Sequence, residues 1–298
     1  MLTGIHAVFI GGDARQLEVI QKFAEKDATV TLIGFDNLQN QFSGVKKASL
    51  SEELLREADV ILLPAVGTDD NGKIDSIFSS EELILTEELM RSMKKRCTIY
   101  TGMAKPYLKK MCHEHGVRLV ELFDRDDVAI YNSVPTAEGA LMLAIQNTDI
   151  TIHGSECIVL GLGRTGITMA RTLQGIGAKV KVGVRKKEHY ARAEEMRFNP
   201  FYVQDLASEV SNVDLIFNTV PAMIVTAQVI SHMPHRSVII DLASRPGGTD
   251  FRFAEKRGIK AILAPGLPGI VAPKSAGKII ANCVIDLIME DQEKWGNG

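Results

Sequence analysis

Residues 157–166 read CIVLGLGRTG, a short apolar run ending in Gly161, Gly163 and Gly166. Ile167, Ala170, Leu173 and Ile176 follow at helical spacing, with Gly177 behind them. The order strand, glycine turn, helix predicts a βαβ unit that holds a dinucleotide pyrophosphate. In that reading Gly161 supplies the sharp turn. Gly163 lets the backbone approach the phosphates, and Gly166 lets the helix pack closely on the strand. Arg164 and Thr165 open the helix, whose first N–H groups and partial positive charge face the anion.

The next strand, 179–184, bears on which dinucleotide. At its end a site for NAD carries an acidic residue on the ribose 2′-OH. Here the chain reads Arg185-Lys186-Lys187. A carboxylate would repel a 2′-phosphate, whereas a guanidinium binds one through charge-assisted hydrogen bonds. NADP(H) is therefore the expected cofactor.

The remaining composition mostly excludes. A length of 298 residues suits two α/β domains. A net charge of −3 gives no footprint for nucleic acid. No run of 18 apolar residues occurs, so no membrane span is expected. The opening MLTGIHAVFIGGD lacks a basic leader and runs straight into a strand pattern. Cys97, Cys112, Cys157 and Cys283 are scattered, which fits a reduced cytoplasm and neither a disulfide framework nor a metal site. His113 and His115, two apart, are expected to be exposed and not metal ligands.

Strand patterns at 7–10, 29–33, 60–63, 98–101 and 117–120 alternate with amphipathic stretches, and a second series follows at 157–160, 179–184, 214–218, 238–241 and 261–264. Such alternation predicts α/β architecture: two Rossmann-like domains with parallel sheets, separated by a cleft. Residues 1–134 form the expected N-terminal substrate domain. Residues 135–150 are read as an interdomain helix starting at Pro135, and 151–272 as the NADP-binding domain. Residues 273–298 are read as a C-terminal helix returning onto the first domain. The polar stretch 65–81 reads as a surface loop.

Ligands of open α/β sheets bind beyond the carboxyl ends of the strands. Thr219, Val220 and Pro221 follow one strand and are expected to line the nicotinamide side. Ser244 and Arg245 follow the next, where small residues permit close approach. Gly11 and Gly12 are read as substrate-domain lining, because two dinucleotide sites are not expected in one chain. Arg15, Lys105, Arg245 and Lys274 are the candidate cleft cations for a small dicarboxylate. Glu138 and Asp13 are the candidates for proton transfer.

The segments IGGDARQ, GFD (34–36), NSVPTAEGA (132–140), VLGLGRTG, NTVPA, DLASRPGGTDF and APGLPGIVAPKSAG (264–277) together resemble the A subunit of bacterial spore dipicolinate synthase over nearly the whole chain. The two-domain plan is also similar to that of D-2-hydroxyacid and alanine dehydrogenases. The resemblance implies NADP+-dependent oxidation of a dihydrodipicolinate-type precursor from the lysine branch to dipicolinate. It also implies a partner, a flavoprotein-like B subunit, together with a place in the mother-cell cytoplasm during sporulation. It supplies no catalytic residue. Two other readings stay open: a non-catalytic NADPH-sensing subunit, and another NADP-dependent dehydrogenase of amino-acid or shikimate-like substrates. The oligomeric state is also open, with a homo-oligomer possible.

Overall fold

The computed structural model describes residues 1–39 and 42–296. The chain divides into two units, Met1–Val128 with Pro273–Gly298, and Ala129–Ala272.

Unit 1 begins with β1 (His6–Ile10), α1 (Ala14–Glu25), β2 (Thr29–Ile33), β3 (Val45–Lys47), α2 (Glu52–Glu57) and β4 (Val60–Leu62). A hairpin of β5 (Lys73–Ile74) and β6 (Leu83–Ile84) precedes α3 (Glu87–Ser92), β7 (Thr98–Thr101), α4 (Pro106–His115) and β8 (Arg118–Glu121). Six of these strands form a parallel sheet in the order β3-β2-β1-β4-β7-β8. Helix α5 (Asp126–Asn147) leads into unit 2.

Unit 2 contains β9 (Glu156–Leu160), α6 (Arg164–Gly175), β10 (Lys179–Val184), α7 (Lys187–Glu195), β11 (Asn199–Tyr202), α8 (Leu206–Glu209) and β12 (Leu215–Asn218). It continues with α9 (Ala227–Ser231), β13 (Val238–Asp241), α10 (Phe251–Lys256), β14 (Lys260–Leu263) and α11 (Leu267–Val271). Its parallel sheet runs β11-β10-β9-β12-β13-β14. Each unit thus has the doubly wound order 3-2-1-4-5-6, with its switch point beside the first strand.

Both faces of each sheet are buried, which is why the strands read as nearly unbroken apolar runs. In β1, Ala7 and Phe9 join one core and Val8 and Ile10 the other. In β9, Cys157 and Val159 face one core while Ile158 and Leu160 face its opposite. The last helix, α12 (Pro273–Gly296), belongs to unit 1 and packs on α1. A Cβ at Gly277 would meet the Arg15 carbonyl and the Glu18 side chain, so only glycine permits this approach. Ile280, Ala281 and Val284 extend the contact into the core that holds Val19, Ile20 and Phe23.

Three expectations are corrected. The interdomain helix begins at Asp126, and Pro135 lies inside it. The acidic pair Asp126 and Asp127 forms its first turn and complements the helix dipole. Residues 65–81 are not a plain surface loop, because β5 pairs antiparallel with β6 and Ile74 is buried. His115 is only half-buried rather than open, with Nε2 3.8 Å from Glu87 Oε1. Helix α5 is also the one described helix apolar enough over 18 residues, mean hydropathy 1.2, to have the length and composition of a membrane span. Its Ala137, Ala140 and Ala144 are fully buried in the unit 2 core, which accounts for that composition.

Candidate functional site

A pocket of about 260 Å³ lies beyond the carboxyl ends of β9, β10 and β12. Gly161, Gly163, Arg185, Thr219, Val220 and Pro221 line it, and these were expected to meet the cofactor. Gly161 turns with φ +97°, a conformation that favours glycine. A Cβ on Gly161 would meet Thr219 Oγ1, which itself donates to the Leu160 carbonyl at 2.7 Å. Gly166 is buried in α6, where a Cβ would run into the Gly161 carbonyl. Gly163 has nothing within 4 Å of its Cβ position. Gly161 and Gly166 therefore build the turn, and Gly163 leaves space above it.

The helices that follow the first strand of each unit differ at their N-termini. Helix α6 is capped by Gly163 with no side-chain hydrogen bond, and Arg164 and Thr165 form its first turn. Helix α1 is capped by Asp13, whose carboxylate accepts Arg15 N at 2.9 Å. Asp13 also holds the Arg15 guanidinium, with Nη2–Oδ2 at 2.6 Å and Nε–Oδ1 at 3.0 Å. Over the same turn, the Asp75 carbonyl accepts Gly12 N at 2.9 Å, and Ile77 N donates to the Gly12 carbonyl at 3.0 Å. Unit 1 thus closes this turn with its own carboxylate and hairpin, whereas the cap of α6 in unit 2 makes no side-chain hydrogen bond.

Two loops of unit 2 are tied together by a buried pair. Asn218 and Asp241, each 0% exposed, end adjacent strands. Asn218 Nδ2 donates to Asp241 Oδ1 at 3.0 Å, and Asn218 Oδ1 accepts Val220 N at 3.0 Å. Asp241 also accepts Ala243 N at 3.1 Å, Gly248 N at 2.8 Å and Thr249 Oγ1 at 2.6 Å. A buried carboxylate needs such partners. Here they fix the loop carrying Ser244 and Arg245 relative to the loop carrying Thr219. Ser244 and Arg245 are exposed on that loop and do not line the pocket.

The other expected residues fall as follows. Arg15, Lys105 and Lys274 belong to unit 1, while Arg245 and Glu138 belong to unit 2. Lys274 is exposed in the first turn of α12, one turn before the Gly277 that rests on the Arg15 carbonyl. Lys105 caps α4, beyond the end of β7. Arg15 is engaged by Asp13, so the structure pairs two residues that had been assigned separate roles. Burial would raise the Asp13 carboxyl, but the hydrogen bonds and charge of Arg15 outweigh it and hold the group below its ordinary value. Glu138 is exposed on α5. Burial pushes the thiols of Cys112, Cys157 and Cys283 up to about 11 and that of Cys97 to about 12, which removes them as nucleophiles. Among the described residues no three His, Cys, Asp or Glu side chains gather in a group that could hold a metal.

Comparison with known proteins places this pair of sheets. Residues 6–123 match the family described as the N-terminal domain of the dipicolinate synthase A subunit. The A subunit of dipicolinate synthase from Bacillus subtilis is 50% identical over 99% of this chain and 100% of its own length. The chain belongs to the family of dipicolinate synthase A subunits. A crystal structure of the Bacillus halodurans member superposes with TM-score 0.94 at 53% identity, over 96% of this chain and 98% of the other. Residues 129–295 match the alanine dehydrogenase/PNT C-terminal domain family, so the second unit is of the dehydrogenase type. An L-alanine dehydrogenase structure, 16% identical with TM-score 0.62 over 94% of this chain and 88% of its own, shares the fold.

In this member of the dipicolinate synthase family, three lining residues escaped the sequence reading: His189, Val203 and Ile224. His189 lies in the first turn of α7, four residues after Arg185. Val203 follows β11, a short edge strand containing Pro200 that carries no alternation signal. Ile224 lies in an irregular loop.

Proposed function

We propose that this chain is an NADP(H)-dependent oxidoreductase that converts a dihydrodipicolinate-type dicarboxylate to dipicolinate. The observation that carries the proposal is the pocket of unit 2. A helix N-terminus with no side-chain cap starts at the open Gly163, and Arg185 and Lys186 stand at the end of β10 where a 2′-phosphate would be read. Bound NADP+ would supply the hydride acceptor. Gly161, Gly163 and the first turn of α6, Arg164 and Thr165, hold the pyrophosphate, with Gly166 packing that helix onto the turn. Thr219, Val220 and Pro221 face the nicotinamide side, with Ser244 beyond them.

Aromatising the ring removes one hydride and one proton. The product gains aromatic stability, so the chain's task is to orient the substrate and keep water away. Arg245, held on its loop by the Asp241 network, is proposed to bind a substrate carboxylate. Glu138, exposed on α5 of the same unit, is the proposed proton acceptor. The Bacillus subtilis relative is named as one lettered subunit of its synthase, which supports a multi-subunit enzyme with a B chain as partner. A role in the mother-cell cytoplasm of a sporulating bacterium follows from the same reading.

The direct test of the cofactor is titration of the purified chain with NADPH and with NADH. NADPH is expected to bind at least about tenfold more tightly, from one charge-assisted contact of ~1.5 kcal/mol or more. Equal affinities would reject the assignment of Arg185.

A further inference from the structure

The sheet of unit 1 repeats the strand order of unit 2, yet its phosphate position is closed, and the GFD segment at 34–36 has no part in the proposed reaction. A cavity of about 620 Å³ opens beyond the carboxyl end of β2. Like the unit 2 pocket it includes the loop after the second strand, but β3 and the hairpin line it in place of the first-strand turn. Gly161 N donates to the Gly183 carbonyl in unit 2 as Gly11 N donates to the Ile33 carbonyl in unit 1, which places Asp36 in register with Lys186, one residue past Arg185. Apolar side chains of Leu50, Leu83, Ile84 and Leu89 wall the cavity. Leu83 lies so close over Gly34 that a Cβ there would strike it.

Asp36 stands at the rim. Its Oδ2 accepts Ser80 N at 2.9 Å and also Ser80 Oγ. These bonds, the Ser80 hydroxyl first, hold the Asp36 carboxyl below its ordinary value, so it is a carboxylate at neutral pH. A carboxylate past the second strand is the acceptor that reads a ribose diol. Glu81 and Glu82 line the same cavity, with Glu82 paired to Lys73 at 2.7 Å, and Lys47 turns its Nζ to the Leu38 carbonyl at 2.7 Å. The surroundings are therefore unfavourable to phosphate, as is the closed turn at Gly12.

We propose that the β2 cavity of unit 1 binds a purine nucleoside without phosphates, its base between the apolar walls and its ribose diol on Asp36. This goes beyond the proposed reaction and does not depend on it.

The test is calorimetric titration of the full chain with adenosine, in the presence of saturating NADPH to fill unit 2. Saturable binding is expected. Asp36→Ala and Asp36→Asn should each weaken it by about tenfold or more. Removal of the ribose 2′-OH, as in 2′-deoxyadenosine, should weaken it, and AMP should bind more weakly than adenosine. Asp36 is exposed, so both variants are expected to fold. NADPH affinity of these variants should equal that of the unaltered chain, which separates this site from the unit 2 pocket. No saturable binding at millimolar adenosine, equal binding by the Asp36 variants, or tighter binding of AMP would each overturn the proposal.

Discussion

Gly163 and Gly166 stand three residues apart and meet opposite surroundings. Open space faces the Cβ position of Gly163, whereas that of Gly166 is blocked by the Gly161 backbone. Gly163→Val is therefore expected to fold, with an unchanged circular dichroism spectrum, while its side chain occupies the proposed pyrophosphate space and abolishes NADPH binding. Gly166→Val should fail as a folded protein, because a backbone carbonyl cannot yield as a flexible side chain does. Retained NADPH affinity in folded Gly163→Val would remove the phosphate assignment. Arg185→Asp should lower NADPH affinity by about tenfold or more while leaving NADH affinity equal or higher. Equal loss for both would show that Arg185 does not read the 2′-phosphate.

At the scale of elements, the N-terminus of α1 makes a pH-dependent contribution. Arg15 holds the Asp13 carboxyl below its ordinary 3.8, so near that pH the unfolded chain binds more protons than the folded one. The stabilisation is present above 3.8 and is lost as pH falls through the lower folded value. Asp13→Asn should accordingly destabilise unit 1 at neutral pH, and chemical denaturation should show the difference shrinking below pH 3.8. A difference that does not change with pH would place the effect in the cap geometry alone. Element ends differed in how plainly the sequence announced them. Helix α4 could be bounded because Pro106 opens it and Gly116 closes it with φ +66°. Helix α5 was misjudged because Pro135 imitates a first-turn proline inside a longer helix. Strand β3 is mostly lysine, β11 opens on Asn199 and Pro200, and the two-residue strands of the β5–β6 hairpin are too short for a period to register, yet the hairpin is what closes the unit 1 glycine turn. The glycine turn of unit 2 was legible, since its residues are adjacent in sequence. The Asn218–Asp241 pair was not, since it joins positions that only the sheet register brings together.

For the molecule as a whole, two parallel sheets of the same strand order differ at the first glycine turn, which unit 1 closes with its own Asp13 and hairpin and unit 2 leaves without a side-chain cap. The four buried thiols support the cores and not the chemistry. Thiol reagents at about pH 8 should label none of them until the chain is unfolded, and rapid labelling of the native protein would contradict their burial. Arg245→Ala should impair turnover more than cofactor binding, by about tenfold or more in kcat/KM for a lost carboxylate contact. This variant running at the unaltered rate would move the substrate elsewhere. The most direct measurement is formation of reduced nicotinamide by the purified chain supplied with NADP+ and freshly prepared dihydrodipicolinate precursor, with and without the B chain. The account predicts NADPH appearing in step with dipicolinate, and none from the Gly163→Val variant. Tight NADPH binding with no NADPH formed under either condition would contradict an oxidoreductase and identify a nucleotide-sensing protein instead.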